Sequence, residues 1–226
     1  MKFLRGVNNI EKANFKWEQL IVCLLVLGMA MIITAGSSFA ASEIIYVSTD
    51  GNDAWNGLSA TYDPSTGNGP KATIQNAVDT VDDNGTVYVA AGTYYENLLI
   101  NKDVYLIGEG PDTTIINGQQ SNSVIAFYGT NMLPVTPLTL GVSGFTLTNG
   151  HASYGGGIYN NGGNLFLANS KITANSANKG GGIYNSGTST ADDLTIIDGN
   201  SPDNVYGNPV VYVTSEEISQ DLLSPY

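Results

Sequence analysis

From Thr86 onward the chain sets short apolar runs against glycine and asparagine, with strand signals every 8 to 12 residues. The runs are Val87 to Ala90, Asn97 to Ile100, Val104 to Ile107, Thr114 to Ile116, Val124 to Tyr128 and Leu138 to Val142. Runs of this length bounded by turn formers read as β-strands, and the lack of helical periodicity between them excludes a βαβ sheet. Farther on, the pattern becomes a literal repeat. Gly-Gly-Gly-Ile-Tyr-Asn occurs at Gly155 to Asn160 and again at Gly180 to Asn185, 25 residues later. Leu147, Ile172 and Ile197 share that spacing, and Asn175-Ser176 returns as Asn200-Ser201. A unit this short cannot bury its own apolar face, so it must stack on its neighbours. The expected fold is all-β, a single-stranded right-handed parallel β-helix. Thr86 to Thr214 covers 129 residues, about five coils, and at about 4.8 Å per strand the stack would be roughly 25 Å tall.

Strand alternation puts Ile158 and Ile183 on one face and Tyr159 and Tyr184 on the other. The isoleucines are the natural inward residues, so Leu147, Ile158, Ile172, Ile183 and Ile197 are expected to form internal ladders, each buried residue stabilising by about 1.5 to 3 kcal/mol. Asn160 and Asn185 close the strand at a corner, where an amide can bond its counterpart one coil away. Ahead of the repeat, Ile44 to Val47 reads as a strand, and Ser48 to Pro70 is turn-rich with six glycines and prolines. Ile74, Ala77, Val78 and Val81 then recur at helical spacing behind Thr73, an N-cap candidate. One short amphipathic helix is the expected cap over the open N-terminal end of the stack. Residues 215–226, with Glu216, Glu217 and Asp221, form an acidic tail that either caps the last coil or is disordered.

Residues 1–40 are a different kind of sequence. Lys2, Arg5, Lys12 and Lys16 precede an apolar run, Leu20 to Ile33, of 14 residues, short of the roughly 18 to 20 that span a bilayer. Ser38 and Ala40 then suit a processing site, which predicts a secretory signal cut after Ala40; a retained anchor is the alternative. The domain plan is thus a leader over 1–40, a strand, loop and cap helix over 41–85, the stack over 86–214, and the tail. Cys23, the single cysteine, lies in the leader, so the mature chain has no thiol for disulfides, metal or nucleophilic catalysis. Only Lys71, Lys102, Lys171 and Lys179 oppose 18 acids after the leader, a net charge of −14. Such a surface repels nucleic acid and anionic headgroups, and no membrane contact is expected beyond the leader.

Candidate chemistry is sparse. His151 is the single histidine, Asp192-Asp193 the most conspicuous acid pair, and Arg5 the only arginine, within the leader. Asp50, Asn52 and Asp53, with Asn56, form an oxygen-rich loop able to take calcium, although these are also the commonest turn formers. All thirteen tyrosines follow the leader, and rings held on a rigid wall can stack on sugar faces. Asn84-Gly85-Thr86 is a formal glycosylation acceptor.

The string NLFLANSKITANSANKGGGIYN resembles the repeats of polymorphic outer-membrane and adhesin-like surface proteins. Those repeats alternate a Gly-Gly-x-Ile element, here Gly156 to Ile158 and Gly181 to Ile183, with an element ending in asparagine, here Ile172 to Asn175 and Ile197 to Asn200. Tyr46 to Val78 resembles the entry segment and cap of pectate-lyase-like β-helix proteins. Lyases of that class use an arginine or lysine base beside calcium-binding carboxylates, and the mature chain has no arginine. Gly92 to Lys102 looks like a segment of pectin methylesterases, which also require an arginine. The expectation is therefore a secreted or cell-surface, non-catalytic protein for adhesion or glycan recognition, monomeric and with no catalytic residue or cofactor other than possible calcium. Tyr159, Tyr184, Asn160 and Asn185 are its candidate ligand contacts, and a cell-surface glycan or surface protein its partner. A polysaccharide-active enzyme and a fragment of a larger surface protein are the alternatives.

Overall fold

Strand β1 (Ile44–Val47) buries Ile45 and Val47 and turns Ile44 and Tyr46 outward. After the turn-rich loop, helix α1 (Ile74–Thr80) buries Ile74, Ala77 and Val78 on one face, as their spacing predicts. Seven residues are too few for a helix to hold itself, and α1 is held by what surrounds it. Thr73 is its N-cap, accepting from the Asn76 amide at 3.3 Å. The computed structural model describes residues 43–130 and 136–218, all within one compact unit, Ala40–Tyr226. The leader, with Cys23 and Arg5, lies outside the described residues.

The chain then passes repeatedly through three sheets. The first pass is β2 (Gly85–Val89), β3 (Gly92–Tyr94) and β4 (Leu98–Ile100); the second is β5 (Val104–Gly108), β6 (Thr114–Asn117) and β7 (Ile125–Phe127). A third comprises β8 (Thr139–Ser143), β9 (Thr146–Thr148), β10 (His151–Tyr154) and β11 (Ile158–Asn160). The fourth is β12 (Asn164–Ala168), β13 (Lys171–Thr173), β14 (Ser176–Lys179) and β15 (Ile183–Asn185). The fifth is β16 (Thr188–Asp192), β17 (Ile196–Ile197) and β18 (Val205–Gly207), and β19 (Val210–Val213) is the last strand among the described residues. The first sheet runs β1-β2-β5-β8-β12-β16-β19, the second β3-β6-β9-β13-β17, the third β4-β7-β11-β15-β18, and β10 pairs with β14. Every pairing between these strands is parallel.

Buried residues of all three sheets form one cluster. Ile116, Leu147 and Ile172 stack in the second sheet, and Leu98, Ile125, Ile158 and Ile183 in the third, all fully buried or within 1 % of it. The expected ladders are therefore present, except that Ile197, paired with Ile172, is only half-buried at the end of its column. The spacing of 25 holds at Ile158 with Ile183 but becomes 24 at Leu167 with Ala191, then returns to 25 at Lys171 with Ile196. The corner after Asn185 is one residue shorter than the corner after Asn160, and the corner after Asp192 is one longer. The tail begins in order: Ser215 to Ile218 form a helical turn, and Ile218 is 1 % exposed. Glu217 folds back on Thr214: its carboxylate accepts from the Thr214 amide and hydroxyl and is held below its usual range by those bonds, while its own amide donates to the Thr214 carbonyl.

Candidate functional site

Tyr159, Tyr184 and Tyr206 occupy one outward column of the third sheet, continuing Leu99 and Ala126 of the first two passes. Parallel pairing forces this spacing, since neighbouring strands lie about 4.8 Å apart. Ring centroids of Tyr159 and Tyr184 are 5.5 Å apart, and Tyr184 and Tyr206 stack at 5.7 Å with 18° between planes. Tyr154, on β10, meets Tyr184 edge-on at 5.0 Å, and Tyr128 meets Tyr159 edge-on at 5.8 Å. Burial, followed by the neighbouring tyrosines, pushes the Tyr159 hydroxyl above its ordinary pKa, so it stays a neutral donor and acceptor.

Beside this row lies an open groove of about 470 Å³, walled by Tyr128, Tyr154 and Tyr159, with Asn97, Asn122 and Ser153 among its polar groups. Ala126 leaves the space that a larger side chain would fill. At the far end, the Lys179 ammonium sits 5.0 Å from the Tyr206 ring centroid and is raised in pKa, chiefly by its hydrogen bond with Tyr206. The other described lysines are committed elsewhere. Lys71 is buried and donates to the Asp53 carbonyl at 3.0 Å, Lys102 donates to the Val81 carbonyl, and Lys171 pairs with Asp112 at 2.7 Å. Asp112 comes from the second pass, a partner that spacing along the chain does not reveal.

Asn160 and Asn185 are placed away from the groove. Both are buried, in the inward column that Ile100 and Phe127 fill in earlier passes. The Asn160 amide donates to Asn185 Oδ1 at 2.8 Å and its Oδ1 accepts from the Gly163 amide at 3.0 Å, while Asn185 donates to the Asn208 carbonyl. Their polar atoms satisfy corner backbone, so as ligand contacts they are corrected to structural residues. The glycine triplets are structural as well: Gly155 and Gly180 have φ of +59° and +63°, and a Cβ on Gly156 would lie 2.4 Å from the Ser176 carbonyl oxygen.

The remaining candidates also have local work. Asp192 is buried, accepts from the Asn169 amide with both oxygens at 3.0 Å and from the Thr195 hydroxyl at 2.6 Å; Asp193 accepts from the Ser215 amide. His151 opens strand β10, is exposed, and its Nδ1 is 2.8 Å from Ser176 Oγ. In the loop, Asp53 accepts from the Ala72 and Thr73 amides and the Thr73 hydroxyl, Asn52 accepts from the Ala54 amide, and the Asp50 amide bonds Ser48 Oγ. Asp53 thereby anchors the approach to α1, while the Asp50 bond is made by its backbone amide and leaves its carboxylate out of this network. Among the described residues no group of three or more histidine, cysteine, aspartate or glutamate side chains gathers as a metal site, and no helix is long and apolar enough to cross a membrane.

Tyr206 does not show in the repeat, because its separation from Tyr184 is 22 residues and it lacks the glycine triplet. The signal present was an apolar-Tyr pair, Val205-Tyr206, following Asn200-Ser201. No protein-family model and no curated protein sequence matches the chain.

Proposed function

We propose that the protein is a right-handed parallel β-helix of the adhesin-like type, exported to the cell surface or beyond, that recognises an extended neutral glycan without acting on it chemically. The carrying observation is the tyrosine row with its adjoining groove: three rings at 5.5 and 5.7 Å along one column, flanked by two more. Rigid rings spaced by sheet geometry present apolar faces to sugar C–H groups, and the hydroxyls, asparagines and serines meet sugar hydroxyls at little entropic cost. The cyclic order of strands through three parallel sheets around one core supports the β-helix reading, as do the repeat resemblances. Non-catalysis is favoured by the groove lining, which carries no carboxylate, lysine or histidine.

A glycan array identifies the ligand, and the double variant Tyr159→Ser/Tyr184→Ser then tests the row. Expected is a loss of about 1 to 3 kcal/mol in binding, with thermal unfolding little changed because both rings are outward. Equal binding by parent and variant overturns the tyrosine reading and moves attention to the loop, where Trp55 and Tyr62 stack at 4.3 Å. Calcium-dependent release of unsaturated uronides from polygalacturonate would replace recognition with lyase activity.

A further inference from the structure

The two ends of the stack differ. At the β1 end, α1 packs against β1, β2 and β4, and the loop adds a bridge from Lys71 to Val47, so the inward rows meet a covering layer. At the β19 end, among the described residues, they meet nothing. Tyr212 sits in the inward column of Val87, Leu106, Val142, Leu167 and Ala191, each within 2 % of full burial, yet is itself 56 % exposed. Val205 and Val210 are only partly buried, and Leu194, Ile196, Tyr206 and Val211 add exposed apolar surface in the same part of the chain. Among the described residues the chain does not return to cover this end. After Val213 the helical turn seats Ile218 on the outer face of the first sheet, against a groove lined by Tyr105, Gly141 and Ala168.

We propose that the β19 end docks a second copy of the chain, forming a closed two-fold pair in place of the expected monomer. This inference rests on strand topology and not on the glycan reading. An uncovered strand edge carries a row of unpaired N–H and C=O groups that pair with another edge. The covered β1 end blocks head-to-tail stacking, so like ends must meet, and like ends meet about a two-fold axis. Antiparallel pairing has to keep inward residues beside inward ones. A register centred on Val211 achieves this, setting Val210 of each copy opposite Tyr212 of the other. A pass of about 24 residues at about 3.3 Å each encloses roughly 300 to 500 Å². With the outward side chains at its rim, the pair buries about 1,000 Å², at the lower limit for a specific interface. Asp193, Asp198 and Asp203 lie in the same pass on a strongly acidic chain, so repulsion opposes the pair at low salt and screening favours it.

Sedimentation velocity on the purified protein, across protein and salt concentration, tests this directly. The expected result is a reversible monomer–dimer equilibrium whose dimer fraction rises with both. Val211→Asp should return the protein to monomer with unchanged monomer unfolding, since Val211 is 57 % exposed. In a chain carrying Cys23→Ser, Val211→Cys should form a disulfide-linked dimer on mild oxidation far faster than Thr190→Cys, whose strand is internal to the sheet. A monomer under all conditions, open-ended oligomers, or equal cross-linking of the two cysteine variants would overturn the proposal.

Discussion

Tyr94 buries its ring on β3 and donates its hydroxyl to the Ala90 carbonyl at 2.8 Å. Burial first, then Glu109 and Glu96, push its pKa up to about 12. A pKa raised on folding gives stability that is complete below the unfolded value of about 10 and is lost as pH rises through the folded one. Urea unfolding should therefore show stability falling by about 2 kcal/mol between roughly pH 10 and 12, and Tyr94→Phe should flatten that slope. Asn160 permits a second discrimination at this scale. Asn160→Ala strips partners from buried corner groups and should cost about 1 to 3 kcal/mol in denaturant unfolding, while binding by the folded variant stays at the parent level. A loss of binding with unchanged stability would return Asn160 to the ligand-contacting set.

Helix α1 takes its N-terminal partners from both directions along the chain. Asp53 approaches from the preceding loop, and Glu96 accepts from the Ile74 and Gln75 amides at 2.8 and 2.9 Å. Burial raises the Glu96 pKa despite those bonds. The folded chain then holds the proton more tightly than the unfolded one, so the stability due to this group is greatest at acid pH and declines as pH rises through the folded value. Relative to Glu96→Gln, the parent should lose stability as pH is raised from below the carboxylate range to neutrality, measured by urea unfolding at each pH; a constant difference would refute the linkage. The helix itself was legible in the spacing of Ile74, Ala77 and Val78 behind Thr73, because one buried face leaves a period. The ladders were legible because stacking demands the same residue at the same place. Strand β3 was not, since Gly92-Thr93-Tyr94 has too few apolar residues to alternate. The Thr214-x-x-Glu217 box was present but hidden by the acidic composition around it, and Lys171–Asp112 crosses passes that spacing does not connect.

At the scale of the molecule, Ile218 reaches back over several passes on the outside to lie against the first sheet. Ile218→Ala should lower stability by about 1 to 3 kcal/mol, read as a shifted urea midpoint, and should loosen the β19 end before the rest in hydrogen exchange. Strand pairings elsewhere join each strand to one in the adjoining pass, with partners from 19 residues apart, Val87 with Leu106, to 42, Ile45 with Val87. A nascent chain leaving the ribosome or a secretion pore N-terminus first therefore always finds its template already standing. Each new pass zips onto the last without a long search, which keeps loop-closure costs small and exposed edges few at any moment. The process also has a defined seed, because α1 gains its Glu96 partner only when residues just beyond β3 have emerged. Growth then runs one way, from the end that α1 covers toward the edge on which Tyr212 stands exposed.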